Sequence, residues 1–205
     1  YLMSEAIGWR AILWIFLLSI GFTNPMDYAK QKLSDYHFFN DPLKNQSPES
    51  NVFPYQISTP LFTDYAKKLR YMVLPEGQKM SYVNPEKFDF PIGTIFVKTF
   101  YYPVDFREPE NNWQIVETRL LINTDKGWFG YPYIWNEAQT DAFLDIAGDR
   151  INISWIDLAG EHQNINYLVP NFNMCKGCHV KDNQFLPIGP KPRLLNYDFQ
   201  FEEIK

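Results

Sequence analysis

The chain has 205 residues, 45% of them hydrophobic and 18% aromatic, which is enough for one domain with a sizeable core. Its formal net charge is −5 and its pI is near 5.2, with no basic run, so nucleic acid is set aside as a partner. The high aromatic share leans towards strands rather than helices.

Arg10 precedes an apolar run from Ala11 to Phe22. Such a run suits the core of a secretory signal and falls short of the roughly 20 residues that span a bilayer. The small-residue cleavage pattern behind it is poor. Residues 1–26 are therefore read as a signal peptide or an uncleaved N-terminal membrane anchor, with a buried apolar helix as the plainer alternative. No cysteine follows the run, which excludes a lipoprotein anchor. A start at Tyr1 suggests a fragment, or an initiator at Met3.

Asp27 to Phe39 is predicted as a short helix, and Asp41 to Asn51, rich in Pro, Asn and Ser, as a loop. The character then changes. Tyr71–Leu74 is a short apolar run closed by the Pro75-Glu76-Gly77 turn, and Thr94–Tyr102 follows the Pro91-Ile92-Gly93 turn as a β-rich run. Gln114–Ile122 and Trp128–Trp135, joined across Thr124–Gly127, predict an antiparallel hairpin. Arg150–Trp155 and Gln163–Val169 alternate cleanly about Ala159-Gly160. Residues 27–170 are thus expected to be mainly β, an antiparallel β-sandwich or barrel-like body, with a C-terminal segment over 171–205. Lys98 and Arg119 fall inside strands; each could pair with Glu117 or, with a haem attached at the later C-x-x-C-H string of Cys175 to His179, meet a haem propionate, but strand alternation favours solvent-facing positions.

Both cysteines lie in Cys175-Lys176-Gly177-Cys178-His179, a C-x-x-C-H string. That is the attachment pattern of a covalent c-type haem, with the thiols adding to the haem vinyl groups and His179 ligating iron from the proximal side. Cys-x-x-Cys also serves zinc and thioredoxin-like redox sites. Only His37 and His162 remain as further nitrogen donors for zinc, both distant in sequence, and no βαβ pattern surrounds the string.

The ring of His179 needs an acceptor at Nδ1. In small cytochromes c a Gly-Pro downstream of the haem string supplies a carbonyl for this; by that similarity Pro190 of Gly189-Pro190, or Pro187, is the expected partner. No Met or His follows His179, so the sixth ligand is sought upstream among Met72, Met80, Met174, His37 and His162. Met80, in a polar stretch beyond a turn, is the preferred distal candidate; Met72 is the better core residue.

Several strings occur in a fixed order: Thr59–Ala66, Phe90–Thr94 with Lys98–Phe100, Glu117–Leu120, Trp135–Ala142, and Cys175–His179 with Pro187–Pro190. Together they resemble a family of bacterial exported haem proteins of undefined role, often described as dihaem. A similar module is attached to some PQQ-dependent, sorbosone-type sugar dehydrogenases. The resemblance covers roughly Leu33 to Asn196 and implies periplasmic electron transfer through one covalent haem c. The implied partners are a donor dehydrogenase and a downstream cytochrome or oxidase. Members usually continue into a second haem segment, which leads to the expectation that this chain is truncated at Lys205. The rival expectations are a haem enzyme or sensor with an open iron site for peroxide or a diatomic gas, and a β-sandwich binding module with structural haem. Asn136, Glu137 and Asp141 match the family strings and are read as turn-forming.

Overall fold

The computed structural model describes residues 24–181 and 183–198, so residues 1–23 of the expected signal or anchor segment lie outside the described residues. Among the described residues no helix is long and apolar enough to cross a membrane.

The chain folds as a mainly β body. Its strands are β1 (Val52–Pro54), β2 (Lys67–Val73), β3 (Ser81–Asn84), β4 (Lys87–Asp89), β5 (Ile95–Pro103), β6 (Trp113–Thr124), β7 (Gly127–Trp135), β8 (Ala142–Leu144), β9 (Asp149–Ile156) and β10 (His162–Val169). A six-stranded antiparallel sheet runs in the order β1-β2-β5-β6-β7-β8; β3–β4 and β9–β10 form separate hairpins. The sheet has two edges and does not close, so the barrel-like alternative gives way to a layered, sandwich-like body. Both sequence-predicted hairpins form. Thr124 pairs with Gly127 at the β6–β7 turn, where Gly127 holds φ +102°, a conformation that side chains disfavour.

Alternation along the central strands divides the sheet into two faces. On the first, Tyr71, Val97, Leu120 and Tyr131 lie side by side across β2, β5, β6 and β7. All four are buried, and Leu33, Phe38, Phe39 and Leu43 from the N-terminal segment complete that core. Full burial of each such side chain contributes about 1.5–3 kcal/mol.

The helix expected over Asp27–Phe39 does not form. Three short 3-10 turns stand there and beyond, at Pro25–Tyr28, Ser34–Tyr36 and Leu43–Asn45. Between the first two the chain lies along β8: Leu33 N–H donates to the Ala142 carbonyl at 2.9 Å, and Leu144 N–H donates to the Gln31 carbonyl at 3.0 Å. A sheet edge offers the backbone partners that a helix would otherwise supply, and pairing there delivers Leu33 to the core. Asp141 secures the junction by accepting from Ser34 N–H and Oγ, at 3.1 and 2.7 Å. The turn between β7 and β8 is closed locally: Asn136 Oδ1 accepts from Thr140 N–H at 2.9 Å.

The second face carries three rows. Met72, Phe96, Leu121 and Gly130 form one; Arg70, Lys98, Arg119 and Pro132 the next; Lys68, Phe100, Glu117 and Ile134 the third. The β9–β10 hairpin packs on the end of this face through Ile153, Trp155, Tyr167 and Val169, against Phe100 and Tyr102. The remainder lies beside the C-terminal segment, which contains α1 (Met174–His179), β11 (Val180–Lys181), β12 (Gln184–Phe185) and α2 (Pro192–Leu195). At its far end the Leu194 carbonyl accepts from Ser58 N–H at 3.0 Å, and Lys191 pairs with Glu86 at 3.2 Å.

Leu120 is 1% exposed at the centre of the first-face core. Leu120→Ala is expected to lower the unfolding free energy by about 2–5 kcal/mol. Leu158→Ala, at a position 77% exposed, should change it by less than about 0.5 kcal/mol. Urea denaturation followed by tryptophan fluorescence checks both.

Candidate functional site

The site is built on the short α1 helix and the two-residue strands that follow it. Cys175, Cys178 and His179 all lie in α1, and Val180 pairs with Phe185 immediately after it. His179 and Leu186 face each other as the next pair of this small hairpin. Leu186 N–H donates to the His179 carbonyl at 2.8 Å, and His179 Nδ1 lies 2.9 Å from the Leu186 carbonyl. A carbonyl only accepts, so this contact puts the proton on Nδ1 and leaves the Nε2 lone pair for a metal. Phe185 stacks on the imidazole, with centroids 5.2 Å apart and planes 15° from parallel.

The expected Nδ1 acceptor is corrected by this arrangement. It is the carbonyl of Leu186, not that of Pro187 or Pro190; Pro190 lies beyond it, buried. The sequence signal was present in Leu186-Pro187, since a residue before proline is pushed to extended backbone. That conformation suits Leu186 to pairing with His179 as a strand does.

The thiol of Cys175 lies 3.7 Å from the Asn171 carbonyl. Beneath it is Gly130 of β7. A Cβ at Gly130 would stand 3.3 Å from the Phe185 ring and 3.4 Å from Cys175 Cβ. A glycine inside a strand marks the close approach of another part of the chain. Gly130 is therefore where α1 and β12 dock on the sheet. A cleft of about 210 Å³ opens here, lined in part by Trp128, Phe172, Val180 and Phe185. It is smaller than an enclosed ligand pocket of roughly 300–1,000 Å³.

The residues of the string suit the attachment and ligation that a haem c requires: a C-x-x-C-H helix and a half-buried imidazole with its tautomer set. Among the described residues no three His, Cys, Asp or Glu side chains gather as a metal-ligand group. Single-histidine ligation of a haem does not require one.

Burial pushes the His179 pKa below the usual imidazole value; the Leu186 carbonyl opposes this, and Lys98 and Arg119 reinforce it. All of these except the carbonyl favour the neutral ring. Lys98 and Arg119 are not the solvent-facing residues that alternation favoured. Arg119 donates to Glu117 through Nε at 2.8 Å and through a terminal nitrogen at 2.6 Å. Glu117 is fully buried and also accepts from the Tyr167 hydroxyl at 2.5 Å. Lys98 lies over the Phe100 ring at 4.8 Å. Burial is the largest influence bringing its pKa down to about 7, with Arg70, Arg119 and Lys68 pushing the same way.

The distal candidates are placed as follows. His37 is exposed after the second 3-10 turn, and His162 is exposed at the start of β10. Met174 is 47% exposed. Met80 is half-buried in the loop before β3. Met72 belongs to the apolar row of the second face rather than to the first-face core. Gly130, Phe185 and Leu186 are residues of the site that the sequence reading missed. Compared with known protein-family models, with curated proteins and with solved structures, the chain matches none.

Two outcomes follow from this geometry. Gly130→Val should displace α1 and β12 and speed amide hydrogen exchange at Leu186 several-fold, while leaving the far-ultraviolet circular dichroism of the β body unchanged. Hydrogen exchange followed by mass spectrometry measures this. The second concerns the polypeptide alone, prepared as Cys175→Ser/Cys178→Ser. Lys98 titrates near 7 when folded and near 10.4 when unfolded. Between those values the unfolded chain holds the extra proton, so stability rises with pH. That contribution is full above the unfolded value and is lost as pH falls through 7. Urea midpoints should increase from about pH 7 to 9, and Lys98→Met should flatten the rise.

Proposed function

We propose that this chain is an exported c-type haem protein that carries electrons. Cys175 and Cys178 would hold the haem through thioether bonds to its two vinyl groups, and His179 would offer its Nε2 lone pair to the iron. The bound haem supplies one-electron exchange between ferric and ferrous iron. Leu186 keeps the His179 proton on Nδ1 and fixes the plane of the ring. Phe185 holds the other side of the imidazole and limits its rotation.

The observation that carries the reading is the His179 Nδ1 contact with the Leu186 carbonyl at 2.9 Å, inside a C-x-x-C-H helix. Ligating histidines hold such an outer partner, which sets the tautomer and raises ligand basicity. The apolar run at residues 11–22 supports export to the periplasm, because the thioether bonds of haem c are made outside the cytoplasm. The partners that suit the reading are a donor dehydrogenase, such as a quinoprotein, and a downstream cytochrome or oxidase.

The test uses the full chain expressed with haem c maturation. Wild-type protein should give the pyridine-haemochrome spectrum of one thioether-linked haem, and Cys178→Ser should lose most of that signal after acid–acetone extraction. An unchanged signal in Cys178→Ser would refute the attachment. The ferrous protein should be low-spin and indifferent to carbon monoxide. A high-spin form that binds the gas would move the assignment to an enzyme or sensor with an open iron site.

A further inference from the structure

A group of cations stands together on the second face of the sheet. Arg70 of β2, Lys98 of β5 and Arg119 of β6 are direct cross-strand neighbours, and Lys68 of β2 sits one row away. Like charges side by side across a sheet repel, so such a group destabilises the fold unless something offsets it. The chain itself offers little. The buried Glu117 carboxylate is taken by two hydrogen bonds from Arg119 and one from Tyr167. Lys68 donates to the Leu61 carbonyl at 2.9 Å, a neutral acceptor, and Asp64 is the least of the charges acting on it. Lys98 lies over the Phe100 ring. Among the described residues neither Lys98 nor Arg70 meets a carboxylate. Arg70 is only 9% exposed, and its side chain makes no hydrogen bond within the chain. Burying a guanidinium without an anion is costly, and its five N–H donors are left without an acceptor from the protein.

These residues act on one another as a unit. Burial is the largest influence lowering the Lys98 pKa to about 7; Arg70, Arg119 and Lys68 add to it, and Glu117 opposes it. Lys68 in turn feels Arg70 and Arg119, and His179 of the C-terminal segment feels Lys98 and Arg119. Lys68, Lys98 and Arg119 are half-buried, with 30% of the Arg119 side chain exposed. The group thus meets solvent at three cationic ends and keeps one guanidinium largely out of water. With Glu117 opposing only Arg119, the excess positive charge on Lys68, Arg70 and Lys98 exceeds what a singly charged anion balances. Arg70 offers a planar fork of donors and Lys98 a compact point charge, on adjacent strands about 4.8 Å apart. A tetrahedral oxyanion with two charges presents oxygens to both at once.

We propose that Arg70, Lys98 and Lys68, with Arg119 held alongside by Glu117, form a binding site for a doubly charged oxyanion, either free phosphate or the phosphoryl group of a small molecule. The site makes no use of the haem reading. It is separate from the cleft at Cys175, whose lining holds none of these cations. Charge-assisted hydrogen bonds from guanidinium and ammonium groups are the strong kind. The bound anion relieves the repulsion along the row and ties β2 to β5.

The test is calorimetric titration of the full chain at neutral pH and constant ionic strength, with inorganic phosphate and glycerol 3-phosphate as the two probes. Saturable binding of at least one probe is expected. Tighter binding of the ester assigns the site to a phosphorylated small molecule, and equal or weaker binding assigns it to free phosphate. Lys98→Met keeps the aliphatic stem and removes the charge. It should weaken binding about tenfold, the loss of one hydrogen bond to a charged group. Arg70→Gln should weaken it at least as much. Lys98→Arg should retain binding, and Lys126→Met, at an exposed surface lysine, should leave it unchanged. Lys98→Met and Lys68→Met keep the test open should Arg70→Gln fail to fold.

No saturable binding of either probe to the wild-type chain would overturn the proposal. Binding that Lys98→Met, Lys68→Met and Arg70→Gln all leave unchanged would overturn it as well. Phosphate acting generally, through its exclusion from protein surface, affects every variant alike.

Discussion

The buried carboxylate of Glu117 is the point on which the arrangement of the second sheet face depends. Arg119, two residues along the same strand, gives it two hydrogen bonds, and Tyr167 reaches it from the β9–β10 hairpin. Such a pair adds little net stability over a well-packed apolar substitute, because removing both charges from water costs nearly what their attraction returns. Leaving one partner alone is far worse, at about 3–5 kcal/mol. The network therefore acts chiefly as a constraint. It fixes where the hairpin may sit on the sheet and holds the Arg119 guanidinium beside α1.

That constraint divides the face. On one side of Glu117 the surface is aromatic and aliphatic, with Phe100 and Tyr102 covered by Trp155, Ile153 and Val169. On the other side the row of Arg70, Lys98 and Arg119 separates the hairpin core from the row of Met72, Phe96, Leu121 and Gly130. An apolar layer extending over the whole face would have closed it as an ordinary sandwich. The charged row prevents that and keeps a strip of sheet for the C-terminal segment. Gly130 supplies the other condition, since without a side chain it lets α1 and β12 approach the sheet backbone.

The strand pattern was legible where alternation was strong and turns were marked. The β6–β7 and β9–β10 hairpins were readable from the Thr124–Gly127 and Ala159-Gly160 signals. The helix over Asp27–Phe39 was misread because helical spacing of apolar residues also suits a chain that pairs with a sheet edge and drops Leu33 inwards. Short strands such as β1 and β8 carry too few residues for alternation to show. Within the site, the Cys-x-x-Cys-His helix was readable from its string alone. The half-burial of Lys98 and Arg119 was not, because a strand's pattern reveals that residues share a face but not which layer covers it. Arg70 joined them only through the register of β2 against β5, which no local signal specifies.

The same electrostatics bear on both sides of the imidazole. A ligating histidine must be neutral, and the neighbouring cations Lys98 and Arg119 together with burial disfavour the imidazolium. The Leu186 carbonyl then decides which nitrogen keeps the proton, since a carbonyl cannot donate. Arg119 already has its anion in Glu117, whereas Lys98 meets no carboxylate among the described residues. A neutral imidazole at His179 and a half-buried, easily deprotonated ammonium at Lys98 are thus two consequences of one cross-strand row.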